Sequence, residues 1–159
     1  MMKILIVEDD YYHANRYAEA LMKIGAKCEV SRTLQDAMAL VLRSRFDLII
    51  LDLFLPDGNT ISLSDYVRMR HPDTALLSVT GSTVFSRGEH IDTMSSDYLL
   101  RKPVKIDELV EIVTYLCRTR PQVDNDGCTP SAGVRPSPVV VVQQSASLQG
   151  LQLGGERAV

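Results

Sequence analysis

"IILDLFLPDG", residues 49–58, sets a single aspartate, Asp52, within a run that is otherwise almost wholly apolar until Asp57 and Gly58. An unpaired carboxylate in apolar surroundings is costly, so such a group shifts its pKa, finds a cation, or stands where a strand meets water. A strand predicted over Phe46–Leu51 puts Asp52 at its carboxyl end. "LFLPDG" is then mostly the loop that follows, with Asp57 and Gly58 in the turn.

Two other runs have the same Ile, Leu and Val character, Lys3–Val7 and Ala75–Val79. Continuous apolar strands are those buried on both faces of a parallel sheet. Lys27–Ser31 and Tyr98–Arg101 are more mixed and suit less protected positions. Helical spacing fills the intervals. Ala14, Tyr17, Ala18 and Leu21 share one face and lead to Gly25 as a C-terminal cap. Leu34, Ala37, Met38 and Val41 follow Thr33, a predicted N-cap. Leu63, Tyr66 and Val67 form a shorter stripe that ends before Pro72, and Ile106, Leu109, Val110, Val113 and Leu116 the clearest one. Ser82–Ser96, which contains Gly88, has no clean stripe. Strand and helix thus alternate over about 120 residues, the pattern of an α/β sheet with helices on both faces. Ligands of such sheets bind at the carboxyl ends of the strands.

The composition, 45% apolar and 23% charged with a net charge of −3, fits one globular domain, residues 1–120. No basic block points to nucleic acid or an anionic membrane, and no apolar run is long enough to cross a bilayer. Cys28, Cys117 and Cys128 lack metal spacing and read as reduced thiols of a cytoplasmic protein. Residues 121–159 hold four of the seven prolines, five of the nine glycines and no aromatic residue, so a disordered C-terminal tail is predicted. Its "VVVV", 139–142, reads as a sticky patch in that tail, or alternatively as a strand added to a partner's sheet edge.

At the predicted strand ends stand Glu8, Asp9 and Asp10, then Asp52, then Thr80 with Gly81, then Lys102 with Pro103. Singly, each is an ordinary cap, turn residue or solvated charge. Jointly they put carboxylates, a hydroxyl and an ammonium at one sheet edge. Crowded carboxylates repel one another, and a hard divalent cation such as Mg²⁺ resolves the conflict with oxygen ligands. A carboxylate can also act as a nucleophile toward a phosphoryl group once a metal and a lysine offset the charge.

"ILIVEDD", "LDLFLPDG", "SVTGS" and "LRKPV", in this order and spacing, resemble the receiver domain of bacterial two-component response regulators over residues 2 to about 118. The resemblance implies a flavodoxin-like, doubly wound, five-stranded parallel sheet in the order 2-1-3-4-5, an order for which the chemotaxis receiver is a standard example. It also implies roles. Asp52 matches the phosphoacceptor, charged by a sensor histidine kinase or a histidine phosphotransfer protein. Asp9 and Asp52 match Mg²⁺ ligands, joined by the backbone carbonyl of Phe54 and, through water, by Glu8. Thr80 matches the switch hydroxyl and Lys102 the family's lysine, with a cis bond to Pro103. The position three before that lysine, often aromatic in the family, is Leu99, while Tyr98 should face the other way by strand alternation. An atypical output surface follows.

The function expected is phosphorelay signalling by a stand-alone receiver that acts through an unidentified downstream protein, with no DNA-binding domain and at most slow self-dephosphorylation. Two alternatives stay open: a receiver-like scaffold indifferent to phosphate, and a Mg²⁺-dependent aspartyl-phosphate phosphatase. Against the latter, Phe54 stands where such enzymes place a general acid. His13, His71 and His90 read as surface residues.

Overall fold

Strands form at the Ile, Leu and Val runs because β-branched and leucine side chains fill both faces of a covered sheet. In chain order the elements are β1 (Lys3–Val7), α1 (Tyr11–Lys23), β2 (Lys27–Ser31), α2 (Leu34–Arg43), β3 (Leu48–Asp52), β4 (Phe54–Leu55), β5 (Gly58–Asn59), α3 (Ile61–Arg70), β6 (Ala75–Thr80), β7 (Tyr98–Arg101), α4 (Ile106–Arg118) and β8 (Val140–Val141). The computed structural model describes residues 1–81 and 96–118, with the backbone of 140–141. The segment without a clean helical stripe and most of the predicted tail lie outside the described residues.

The main sheet runs β2-β1-β3-β6-β7-β8, and all its pairings are parallel. Its five longer strands keep the expected order. Beside these five, the two-residue β8 adds Val140 and Val141 of the valine run to the β7 edge. The loop after β3 differs from expectation, because Phe54–Leu55 and Gly58–Asn59 pair as a small antiparallel ladder. Gly58 has φ +146°, which L side chains rarely adopt, and a Cβ there would stand 3.4 Å from Leu34 Cδ2.

Alternation divides the core into two layers. Ile4, Ile6, Leu48, Ile50, Leu77, Val79 and Leu100 pack with Tyr17, Leu21, Leu109 and Val113 of α1 and α4. Leu5, Val7, Ile49, Leu51 and Leu76 pack with Ala37, Val41, Leu63 and Val67 of α2 and α3.

Helix ends are closed by specific groups. Gly25, φ +86°, donates its N–H to Met22 O at 3.0 Å, and Ala26 N–H reaches Leu21 O at 3.1 Å, the paired bonds of a Schellman cap. Asp10 caps α1 by accepting the His13 N–H at 2.8 Å, which leaves its neighbour Asp9 for other work. At the start of α2, Thr33 accepts the Asp36 N–H at 3.1 Å as its sequence position predicts. The Leu34 and Gln35 N–H groups are taken instead by Asp57 Oδ2, at 2.8 and 3.3 Å.

Asp57 therefore ties the turn after β3 to the α2 N-terminus. The Leu34 hydrogen bond first, then that of Gln35, holds its carboxyl below the ordinary value of 3.8. A depressed carboxyl pKa contributes stability that is complete above the unfolded value and lost as pH falls through the folded one. Asp57→Ala is expected to be less stable than the parent at neutral pH in urea unfolding, with the gap closing below pH 3.8.

Candidate functional site

Parallel register decides which side chains meet at the carboxyl edge. Val7 pairs with Leu51, Leu51 with Ser78, and Ser78 with Leu99. One residue further along, Glu8 and Asp52 stand side by side. Counting by twos from Ile6, Ile50 and Leu100 puts Glu8, Asp52 and Lys102 on the α1/α4 side of the sheet. Thr80, two beyond Ser78, belongs to the opposite side.

Contacts follow this arrangement. Lys102 Nζ donates to Asp52 Oδ2 at 2.7 Å and to Glu8 Oε1 at 2.8 Å, bridging two buried carboxylates. Glu8, Asp9 and Asp52 present carboxylate oxygens that all lie within 4.8 Å of one another. The other Asp52 oxygen, Oδ1, accepts the Phe54 N–H at 3.1 Å, and the Asp52 carbonyl accepts the Thr60 hydroxyl at 3.0 Å. A pocket of about 380 Å³ opens here, lined among the described residues by Asp52, Phe54, Gly81 and Lys102. Asp52 is thus buried but faces an opening.

The electrostatics are those of a charge cluster at the edge of a low-dielectric interior. Burial pushes the Glu8 carboxyl above its ordinary value, with Lys102 opposing the rise. Burial pulls Lys102 down, but its bonds to Asp52 and Glu8 outweigh that and raise its pKa, so it remains an ammonium. Tyr17 is pushed up to about 12 by burial and by the charges of Glu8 and Asp52. Glu8 Oε2 is buried and finds no hydrogen-bond partner among the described residues. An orphaned carboxylate oxygen within an all-oxygen trio suits a hard divalent cation, which prefers such ligands.

The predicted residues are not all in one place. Glu8, Asp9, Asp52 and Lys102 converge. Thr80 is buried at the end of β6, and its carbonyl accepts the Lys102 N–H at 2.8 Å. The Lys102–Pro103 bond is cis, as the motif implies. Leu99 is buried a row below the cluster, whereas Tyr98 packs into the α1/α4 layer, near Glu108, Glu111 and Tyr115.

Sequence reasoning missed several participants. Arg32 Nε and Nη2 donate to the Asp9 carbonyl at 3.1 and 2.9 Å, pinning the acidic loop from the end of β2. Thr60 precedes α3 yet makes no side-chain cap bond; it clamps Asp52 instead. Expected at the surface, His13 is half-buried, with Nδ1 3.7 Å from Glu8 Oε1 and its ring stacked on Tyr17. His71 is half-buried too, with Nε2 3.1 Å from Val41 O. His90 lies outside the described residues. Only the threonine at a turn carried any local signal; the others depend on which strand ends become neighbours.

The family model for the response regulator receiver domain matches residues 4–114. The chain belongs to this family. Among curated proteins it is 33% identical over 132 residues to the transcriptional regulatory protein PmrA of Pectobacterium parmentieri, covering 78% of this chain and 59% of PmrA. It is 29% identical over 118 residues to the response regulator PilR of Pseudomonas aeruginosa, 74% of this chain and 26% of PilR. The chain therefore spans less than two thirds of the length of these relatives. Among solved structures, the receiver domain of Francisella response regulator 1452 aligns with TM-score 0.66 and 26% identity, over 74% of this chain and 98% of that one. Thermotoga maritima TrrA, solved in complex with Mg²⁺-BeF, shares the fold with TM-score 0.65 at 22% identity, over 73% and 99% of the two chains. A receiver is a signalling domain of two-component systems rather than a classical enzyme. No described helix is long and apolar enough to cross a membrane.

Proposed function

We propose that this receiver takes a phosphoryl group onto Asp52 from the phosphohistidine of a sensor kinase or phosphotransfer protein, with Mg²⁺ held by Asp9, Asp52 and the Phe54 carbonyl and, through water, by Glu8. In that transfer an Asp52 carboxylate oxygen attacks phosphorus, the P–N bond to the donor imidazole breaks, and its electron pair returns to the ring nitrogen. When bound, Mg²⁺ supplies positive charge that offsets the phosphoryl oxygens. Lys102 adds a second cation, and the Thr80 hydroxyl, turned inward, donates to a phosphoryl oxygen. The outcome is read by a partner protein through contacts on the receiver surface, in the cytoplasm.

The observation that carries this reading is the Lys102 bridge. One ammonium touches both Glu8 and Asp52, beside Asp9 and at the mouth of the pocket. A structural ion pair needs no third carboxylate and no opening. The phosphatase alternative finds little support, because Phe54 offers Asp52 a backbone N–H and no acidic side chain.

The chain has no tryptophan, so intact mass is a better readout than intrinsic fluorescence. Incubation with acetyl phosphate and Mg²⁺ is expected to add one phosphoryl group per chain. Chelation with EDTA is expected to suppress the gain and excess Mg²⁺ to restore it. Equal phosphorylation with and without the cation would contradict the assigned metal role.

A further inference from the structure

Thr60 directly precedes α3, where a threonine ordinarily accepts an N–H of the first helical turn. Its side chain makes no such bond. It is fully buried, and its hydroxyl donates to the Asp52 carbonyl at 3.0 Å.

The strand ladder explains why that carbonyl needs a donor. Leu53 gives its N–H to Val79 O, toward β6, at 3.0 Å. In a trans peptide the carbonyl of the same unit points the opposite way, so Asp52 O faces the β1 side. Pairing between β1 and β3 stops at Val7 and Leu51, one residue short of it, and the Glu8 N–H goes to Ser31 O of β2. A buried carbonyl at a strand end is costly unless a donor reaches it. The small ladder of β4 and β5 brings that donor: Phe54 faces Asn59 and Leu55 faces Gly58, a register that sets Thr60 opposite Leu53 and beside Asp52. From behind, the Thr60 carbonyl accepts both the Ser64 N–H, at 3.0 Å, and the buried Ser64 hydroxyl, at 3.2 Å. The first turn of α3 thus holds Thr60, and Thr60 holds Asp52.

We infer that Thr60 is a positioning residue for phosphoryl acceptance. By fixing the main chain at Asp52 it aims both carboxylate oxygens, Oδ1 at the Phe54 N–H and Oδ2 at the Lys102 ammonium. The role rests on Asp52 being the acceptor and a metal ligand. With the carbonyl released, the Cα that carries the carboxylate shifts, and its oxygens leave both the cation site and the line of attack on phosphorus. Removing a group that orients a metal ligand from behind changes affinity or activity by roughly 10–100-fold. Thr60 acts through the Asp52 main chain and not on the reacting atoms.

Two comparisons that hinge on the hydroxyl test this role, the parent against Thr60→Val and Thr60→Ser against Thr60→Ala. Calorimetry with Mg²⁺ alone reads the metal affinity. The rate of intact-mass gain from acetyl phosphate at saturating Mg²⁺ reads acceptance, each on full-length chain shown folded by circular dichroism. Thr60→Val is expected to weaken Mg²⁺ binding and to slow labelling by about tenfold each. Thr60→Ser is expected to stay close to the parent in both, and Thr60→Ala to fall with Thr60→Val. Hydroxyl-free variants that melt at lower temperature yet match the parent in both readouts would overturn the role and leave the acceptor assignment standing. So would a Thr60→Ser that fails as Thr60→Ala does. A parent that neither binds Mg²⁺ nor gains mass would overturn the acceptor assignment, and this role with it.

Discussion

Lys102→Ala is expected to lower both stability and phosphoryl acceptance, and Mg²⁺ is expected to restore only the first. The Lys102 ammonium lies 2.7 Å from Asp52 and 2.8 Å from Glu8, and those carboxylate side chains are only 7% and 2% exposed. Removing it takes away the ammonium that bridges two buried like charges. Breaking a buried ion pair costs roughly 3–5 kcal/mol, and about 3 kcal/mol is expected here because the lysine is partly in contact with water. Part of that cost is recovered if one carboxyl takes up a proton, which Glu8 is already biased to do by burial. Millimolar Mg²⁺ should recover more, since a divalent cation among the same carboxylates replaces the lost charge. Acceptance behaves differently, because the ammonium is positioned to offset charge on the incoming phosphoryl group. Its loss is expected to slow acetyl phosphate labelling by about 100-fold or more, even with Mg²⁺ saturating. Urea unfolding with and without Mg²⁺, alongside intact-mass kinetics, separates the two effects. A variant restored in both by Mg²⁺ would mean that Lys102 serves the fold alone.

The second large effect concerns the acceptor. Asp52→Asn is expected to abolish phosphoryl gain while keeping stability within about 1 kcal/mol of the parent. An amide oxygen can still accept the Phe54 N–H now held at 3.1 Å. The Thr60 bond goes to the backbone carbonyl, which the substitution leaves in place. Lys102 also keeps Glu8 as a partner, so no buried cation is stranded. What disappears is the anionic oxygen that attacks phosphorus. Mass gain equal to that of the parent would remove Asp52 from the mechanism.

Local signals made much of this architecture readable. Lys3–Val7 and Ala75–Val79 announce covered strands, Gly25 ends α1, and Thr33 begins α2. Asp52 was legible as a strand end because a carboxylate has no place inside such a run. The two-residue strands β4 and β5 are too short for any period to show, so a real ladder read as loop. Non-local groups were invisible for a different reason. Arg32 at the Asp9 carbonyl, Thr60 at the Asp52 carbonyl, Asp57 at the α2 amides and His13 beside Glu8 all become neighbours only once register is set. Tyr98 packs on the α1/α4 side, and strand alternation puts its neighbour Leu99 on the other. Alternation could not show that the valine run reaches β7, because pairing partners distant in sequence leave no local trace.

Site mapping of the acyl phosphate tests the central claim most directly. The chain is labelled with acetyl phosphate and Mg²⁺, reduced with borohydride so that a phosphorylated aspartate becomes homoserine, and sequenced by peptide mass spectrometry. Homoserine at position 52, and at no other acidic residue, is the expected result. Homoserine at Asp9 or elsewhere in place of 52, or its absence from a chain that has gained phosphoryl mass, would contradict the account.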